Sequence, residues 1–436
     1  MGHLVGKQLY RSLGRKIDGL TVRVPWDETL YEILKELYSI EDAELIVKLP
    51  YRMSTIERIA AITGFDRARL ERQLRSLCSR GLVMDLEING ELNYVISPLV
   101  IGIFEFTMMR TSGVDYKKVA ALFAEYLPEW LKANHEQRQQ IGVLRAVPHE
   151  GSLGDHVEVL DYEKATAIIE QAGRYAVGLC SCRHDHHHLG DRTCAVPLEG
   201  CTVLGKVSVD FTLRNGLARE VSKTEILEII ARSRELGLVL QADNVQQNVR
   251  SLCHCCGCCC YMLKGVSQSG YTNAVVTSSF IARVDLDRCK GCTLCSDACP
   301  IDAIPRVADP KPPFQKHGRP AVDESSCIGC GVCALKCRSD AIRLYPRAQR
   351  VLHPETIFEK VLLQCLDKGT LQNQLFDRPE SKTQEFLRGL VGGFLRLAPV
   401  KQALLSDALR SRFLKAIQGR GPNGDPRAGL RSQQKS

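Results

Sequence analysis

Eighteen of the twenty cysteines fall between residues 180 and 337, and this concentration of thiols is the main chemical feature of the sequence. Six of them occupy the eight positions 253–260. Cysteines so close along the chain are poorly placed to form disulfides with one another. Thiolates are soft ligands, and thiolate-rich sites select iron–sulfur clusters, zinc or Cu(I). The cysteines therefore predict metal or cluster binding.

An internal repeat provides the most specific motif. Residues 284–304, VDLDRCKGCTLCSDACPIDAI, are echoed by residues 322–342, VDESSCIGCGVCALKCRSDAI. Each copy has the spacing C-x2-C-x2-C-x3-C, with Pro300 after the first copy and Arg338 at the matching position of the second. Paired motifs of this kind are typical of iron–sulfur ligation and rare among zinc sites. The cysteines concerned are Cys289, Cys292, Cys295, Cys299, Cys327, Cys330, Cys333 and Cys337.

This repeat resembles the bacterial two-cluster ferredoxins. The resemblance implies two [4Fe–4S] clusters, each taking three cysteines from one copy and the fourth from the other copy. It assigns one cluster to Cys289, Cys292, Cys295 and Cys337. It assigns the other cluster to Cys299, Cys327, Cys330 and Cys333.

Ten further cysteines lie upstream of the repeat, within residues 180–260. They are Cys180, Cys182, Cys194, Cys201, Cys253, Cys255, Cys256, Cys258, Cys259 and Cys260. One or two additional iron–sulfur clusters, a zinc site and a redox-active thiol relay are the alternatives. Clusters are favoured because zinc needs only four ligands and gains nothing from vicinal cysteines. The sequence does not decide which of the ten are ligands.

The stretch Cys255-Cys256-Gly257 is similar to the CCG motif of heterodisulfide-reductase-type cysteine-rich domains. That resemblance implies a non-cubane cluster. It is confined to the motif, since no second copy with similar spacing follows.

Other residues near the cysteines have two interpretations. His184, His186, His187 and His188 could complete a site or shuttle protons, but a polar loop between ligating cysteines is preferred. Arg183 is expected to offset the negative charge of a thiolate cluster. Cys78 and Cys365 stand alone in helical patterns and are predicted to be packing residues.

The predicted fold class is α+β, divided into several domains. The predicted divisions are a basic N-terminal arm (1–26), a winged-helix-like domain (27–112), a helical connector (113–150), a small α/β cysteine-rich domain (151–270), a ferredoxin-like 2[4Fe–4S] domain (271–350) and a helical basic tail with a disordered end (351–436). In the cysteine-rich domain, strands are predicted at 156–161 and 175–182, and a helix is predicted between a Ser222–Glu225 capping box and Gly237.

Residues 27–112 resemble a winged-helix domain. An amphipathic helix over 27–50, two helices separated by Gly64 and a hairpin at Asn89-Gly90 carry this resemblance. The second of the two helices is rich in arginine, which suggests binding in a DNA groove. Because acidic residues balance these arginines and no base-reading set is evident, a surface for protein contacts is the favoured alternative.

Several function classes find no support in the sequence. No apolar run is long enough to span a membrane, and no secretory signal is evident, so we expect a cytoplasmic protein with reduced thiols. We also find no Gly-rich phosphate loop between a strand and a helix, so neither a nucleotide nor a flavin site is indicated. The basic amphipathic tail, broken at Pro399, suits either an anionic membrane surface or a partner protein equally well.

The sequence therefore predicts an iron–sulfur electron-transfer protein or reductase component with a redox partner protein. Single electrons would pass through two [4Fe–4S] clusters to a further thiolate-rich centre. The alternative is a redox-sensing regulator that uses the winged helix to bind DNA. If the chain is an enzyme, we expect an iron–sulfur oxidoreductase.

Overall fold

The computed structural model describes residues 2–136, 141–154, 157–406 and 413–414. Its N-terminal region is helical with one small sheet. The elements are α1 Gly2–Asp18, α2 Glu28–Leu37, α3 Ile40–Lys48, β1 Ser54–Thr55, α4 Ile56–Thr63, α5 Arg67–Ser79, β2 Val83–Ile88, β3 Glu91–Ile96, α6 Phe104–Met108 and α7 Tyr116–Glu136. The three strands pair antiparallel in the order β1-β3-β2. The hairpin predicted at Asn89-Gly90 joins β2 to β3, whereas the winged-helix assignment stays a prediction.

The single helix predicted over 27–50 is wrong, because the chain forms two helices there. The first helix ends at Leu37, and Ser39 caps the start of the second: its hydroxyl accepts from the Asp42 amide, and the Asp42 carboxylate accepts from the Ser39 amide. This reciprocal capping box satisfies amides that would otherwise lack a partner at the start of α3. The apolar periodicity continues across the break, so periodicity alone did not reveal it.

Arginines at the start and just after the end of α5, and an acidic residue of the adjoining hairpin, are engaged within the protein. Arg67 pairs with Glu57 and Glu71, and Arg80 pairs with Asp42. The carboxylate of Asp85 in β2 accepts from Arg214 at 2.6 Å, and apolar side chains of the hairpin pack beside this pair. The hairpin is thus part of an interface with the following region of the chain.

The cysteine-rich region is built around a six-stranded sheet. Its elements are β4 Leu144–Val147, α8 Ala165–Ala172, β5 Tyr175–Leu179, α9 Ser181–Leu189, β6 Glu199–Leu204, α10 Lys206–Arg214, β7 Ala218–Glu220, α11 Lys223–Leu236, β8 Val239–Asp243, β9 Ser251–Cys255 and α12 Tyr261–Ser269. The strand order is β4-β8-β9-β6-β5-β7, and every neighbouring pair is antiparallel. The alternation of strands and helices in the sequence thus leads to an antiparallel sheet.

Two strand predictions in this region need correction. Residues 157–160 have no strand, and Val157 and Val159 pack against the core without joining a ladder. The strand predicted over 175–182 ends at Leu179, because Ser181 begins α9. The helix predicted after Ser222 is confirmed as α11. The Ser222 hydroxyl accepts from the Glu225 amide, and Gly237 ends the helix with φ of 68°.

The ferredoxin-like region has short elements whose order repeats. They are β10 Phe280–Val284, α13 Leu294–Asp297, β11 Arg306–Val307, β12 Arg319–Pro320, α14 Val332–Leu335 and β13 Ile342–Pro346. Strand β10 pairs antiparallel with β13, so the ends of the repeat are joined. The helices α13 and α14 begin 38 residues apart (332 − 294), which is also the separation of Cys289 and Cys327 (327 − 289).

The C-terminal region returns to the N-terminal helices. Its elements are α15 Ile357–Lys368, α16 Leu371–Leu375, α17 Lys382–Leu395 and α18 Ala398–Leu405. The Asp377 carboxylate is buried and accepts two hydrogen bonds of 2.9 Å from Arg58. Pro399 lies in the first turn of α18, as the predicted break requires. The predicted disordered end lies outside the described residues. No described helix is both long enough and apolar enough to span a membrane.

A buried lysine in α1 gives the N-terminal region a defined pH dependence. Lys16 donates to the Leu49 carbonyl and lies 3.7 Å from the centre of the Tyr51 ring. Burial lowers the pKa of Lys16 to about 7, from 10.5. Between these values the unfolded chain binds more protons, so stability should rise with pH by up to about 1.4 kcal/mol per unit. We expect Lys16→Met to lose this rise. The melting temperature of the variant should therefore increase less between pH 7 and pH 9.5 than the melting temperature of the wild type does. If the difference in melting temperature between wild type and Lys16→Met stays the same from pH 7 to pH 9.5, the lowered pKa of Lys16 is wrong.

Candidate metal centres

Four cysteines from both copies of the repeat surround one cavity. Cys289, Cys292, Cys295 and Cys337 line an open space of about 340 Å³. Cys292 is exposed and Cys295 is buried. We call these four residues the outer cysteine set. Three come from the first copy and one from the second, which is the grouping that the ferredoxin resemblance implies.

The other four cysteines of the repeat lie deeper. Cys327, Cys330 and Cys333 are buried, and Cys299 is partly buried. Burial raises the pKa of the Cys330 thiol to about 12, and the neighbouring Cys299 and Cys327 add to the effect. We call Cys299, Cys327, Cys330 and Cys333 the inner cysteine set.

Backbone geometry repeats together with the cysteines. Gly291 and Gly329 have φ of 66° and 67°, and a Cβ at Gly291 would lie 2.7 Å from the Pro313 carbonyl oxygen. Glycine is therefore needed there for both conformation and space. The amides of Ala303 and Ala341 each donate to a cysteine sulfur four residues earlier, at 3.2 Å. Such amide donors stabilise thiolate charge and tune the potential of a bound cluster.

The ten upstream cysteines form two separate groups. The first consists of Cys194, Cys256, Cys258 and Cys259, whose sulfurs all lie within 4.8 Å of one another. Cys194 Sγ is 3.8 Å from Cys256 Sγ, and Cys258 Sγ is 3.6 Å from Cys259 Sγ. Val196 and Leu238 pack with Cys256 and Cys259 in one buried apolar cluster, whereas Cys258 is exposed. We call this the four-thiol group.

The second group lies on one face of the central sheet. Cys201 in β6 is directly opposite Cys253 in β9, and Cys255 is two residues further along the same strand. Side chains alternate along a strand, so Cys253 and Cys255 share a face while His254 points to the other. His254 there contacts the hydroxyls of Thr202 and Ser233, at 2.8 and 2.7 Å.

Two helices bring the remaining cysteines to this face. Cys180 and Cys260 are the N-cap residues of α9 and α12, and Cys182 lies in the first turn of α9. Cys182 interacts with Cys260, and Cys260 with Cys255. The members of this six-thiol group are Cys180, Cys182, Cys201, Cys253, Cys255 and Cys260. Helix N-termini favour negative charge, so both helices stabilise thiolates at this position.

A buried arginine lies between the two groups. The Arg183 guanidinium is close to Cys180 and Cys256, and it donates to the carbonyls of Pro197 and His254 at 2.9 and 2.7 Å. A Cβ at Gly200 would clash with this guanidinium. Arg183 thus supplies positive charge beside the thiols, as the sequence suggested.

A buried carboxyl group also approaches the six-thiol group. Glu105 in α6 accepts from the Gly102 amide at 2.7 Å and lies near Cys253 and Cys260. Burial raises its pKa to about 8. The Gln241 side-chain amide is 3.7 Å from Cys260 Sγ and can donate to it.

The ferredoxin-like region is in direct contact with the cysteine-rich region. A Cβ at Gly257, between Cys256 and Cys258, would lie 2.7 Å from the Pro300 carbonyl oxygen. Pro300 directly follows Cys299 of the inner set. The His149 amide donates to the Cys330 carbonyl at 3.0 Å, and its Nε2 donates to the Leu238 carbonyl at 2.8 Å. The two regions therefore meet through residues that adjoin cysteines on both sides.

The histidines of α9 do not belong to the four-thiol group. His184 lies 2.7 Å from the Met108 carbonyl oxygen and 2.9 Å from His188, and His186 pairs with Asp191 at 2.7 Å. Cys78 and Cys365 are buried and free in helices α5 and α15, as packing residues would be.

Comparison with known proteins gives one match. Residues 288–341 match the family model of the 4Fe-4S dicluster domain. The searches of curated proteins and of solved structures gave no match. The chain thus contains a 4Fe–4S dicluster domain, and its cysteine-rich chemistry is consistent with iron–sulfur electron transfer.

Several residues of these centres carry no local signal in the sequence. Glu105 and Gln241 are more than ten residues from the nearest cysteine, and nothing in their local sequence marks them. The common face of Cys253 and Cys255 did have a signal, since SLCHC has the two-residue period of a strand.

Proposed function

We propose that this protein transfers single electrons between a redox partner and an additional iron–sulfur centre on the six-thiol group. The ferredoxin-like region lies between them. The contact between Gly257 and Pro300 carries the proposal, because it joins the inner cysteine set to the loop that flanks the six-thiol group.

The outer and inner cysteine sets differ in exposure to solvent. This difference supports a direction of electron transfer across the ferredoxin-like region. The outer cysteine set has the exposed Cys292, whereas Cys327, Cys330 and Cys333 of the inner set are buried. Cys327, Cys330 and Cys333 share one continuous core with Cys255 and Cys260, and Cys295, the buried member of the outer set, belongs to the same core. A partner protein would therefore dock beside Cys292, and the buried side would face the cysteine-rich region.

The residues of the ferredoxin-like region fit two clusters. The outer set lines one open space, and amides donate to sulfurs of both sets. Bound clusters would supply one-electron oxidation and reduction there. The protein itself holds the thiolates, donates hydrogen bonds to them and keeps water from the inner set.

The six-thiol group fits a further cluster for three reasons. It offers more thiolates than a single ion uses. Its sulfurs are spread along two strands and two helix ends, as a multi-iron group requires. Two helix N-termini and Arg183 provide the positive charge that an anionic cluster needs.

Iron and acid-labile sulfide in the anaerobically purified full chain test the proposal. The ferredoxin-like region alone accounts for about eight irons, and a further cluster of cubane size raises the total to about twelve. We also expect electron paramagnetic resonance of the dithionite-reduced protein to show more than the two ferredoxin signals. About eight irons with two signals would contradict an additional cluster.

A further inference from the structure

The four-thiol group differs from the other cysteine sets in the distances between its sulfurs. All its sulfurs lie within 4.8 Å of one another, with individual separations of 3.8 and 3.6 Å. A zinc–sulfur bond of about 2.3 Å gives a tetrahedron with edges of about 3.8 Å. The separations therefore match four thiolates around one ion.

A cubane needs a different arrangement. It places a separate iron beneath each thiolate, so its four ligand sulfurs lie farther apart than those around a single ion. The outer cysteine set is consistent with that pattern, because its four cysteines line one open space and their sulfurs are not all within 4.8 Å of one another. Among the residues that the structure describes, the four-thiol group is the one set of three or more potential metal ligands whose ligand atoms all lie within 4.8 Å of one another.

The vicinal cysteines are explained by this division. Cys255 joins the six-thiol group, while Cys256 joins the four-thiol group. Cys259 and Cys260 divide in the same way, with Cys259 in the four-thiol group and Cys260 in the six-thiol group. Vicinal cysteines are therefore compatible with zinc, because the pairs Cys255-Cys256 and Cys259-Cys260 each give one sulfur to each group, while Cys258 joins Cys259 in the four-thiol group.

We propose that the four-thiol group holds a single structural Zn²⁺ ion, separate from the six-thiol group. All four positions of the tetrahedron are filled by Cys194, Cys256, Cys258 and Cys259, which is the closed coordination of structural zinc sites. The ion fixes the turn at 256–259. It thereby directs Cys255 and Cys260 toward the sheet and holds Gly257 against Pro300.

Paired serine variants test the assignment in the full chain, purified anaerobically with zinc and iron in the medium. We expect about one zinc per chain in wild type. Cys194→Ser should lose most of the zinc and keep the ferredoxin irons. Cys201→Ser, the matched variant in the six-thiol group, should keep the zinc. If Cys194→Ser loses about four irons and no zinc, or if one iron occupies the site in place of zinc, the proposal is wrong.

X-ray absorption at the zinc edge of wild-type protein gives a readout that does not depend on how the variants fold. The proposal predicts four sulfur neighbours at about 2.3 Å. Zinc with nitrogen or oxygen neighbours, or wild-type protein without zinc, would overturn it. These outcomes are distinct from failure of the proposed function. The proposed function is tested by the amount of iron that Cys201→Ser loses.

Discussion

Replacing Cys253 with serine should remove about four irons from the protein and leave the ferredoxin irons and the zinc in place. Cys253 lies in the middle of the six-thiol group, opposite Cys201 and on the same strand face as Cys255. A hydroxyl is a poor substitute for a thiolate toward iron, which prefers soft sulfur ligands in clusters. The measurement is iron, sulfide and zinc per chain, together with the resonance spectrum of the reduced protein.

Cys78→Ala is the matched control for this prediction. Cys78 is a buried thiol in α5, remote in function from the cysteine groups, and alanine puts no hydroxyl into its apolar surroundings. The control should keep every metal. If Cys253→Ser has the same iron content and spectrum as Cys78→Ala, the prediction is wrong and Cys253 is not a cluster ligand.

The second large effect is expected at Gly257. An alanine Cβ there would lie 2.7 Å from the Pro300 carbonyl oxygen and 3.2 Å from its Cα. Both are backbone atoms, so the loop or the ferredoxin-like region must move, and overpacking of this kind costs about 1–3 kcal/mol. Because electron transfer slows steeply as the separation grows, Gly257→Ala should keep its metals but exchange electrons more slowly between the two regions.

Flash photoreduction can measure this rate, with Gly389→Ala as the control. A Cβ at Gly389 would meet no atom within 4 Å, so this variant makes the same chemical change in open space. Equal rates in wild type, Gly257→Ala and Gly389→Ala would show that the contact with Pro300 does not govern electron exchange.

The ferredoxin-like region could be predicted from sequence because its information is local. The cysteine spacing, the repeat and the matched glycines all lie within residues 284–345. The sequence signal for the hairpin, the pair Asn89-Gly90, is local in the same sense. The break at Ser39 also has a local signal, a serine followed three residues later by an acidic residue, but the apolar period that predicts a single helix continues across it.

The division of the ten upstream cysteines could not be predicted in this way. It depends on the pairing of β6 with β9, which places Cys201 beside Cys253 although they are 52 residues apart in sequence (253 − 201). It also depends on the turn at 256–259, which places neighbouring cysteines in different groups. The strand predicted at 156–161 does not form, for a related reason. Alternating apolar residues indicate that one side of a segment is buried, but they do not show that a partner strand lies beside it.

Electron delivery to the six-thiol group is the most direct test of the account. Oxidised full-length protein would be mixed anaerobically with less than one equivalent of reduced methyl viologen, and samples frozen at successive times would be examined by electron paramagnetic resonance. The account predicts early ferredoxin signals, then a further signal that grows as they decline and that is absent from Cys253→Ser. A spectrum in which the electrons stay in the ferredoxin-like region at all times, identical in wild type and Cys253→Ser, would contradict it.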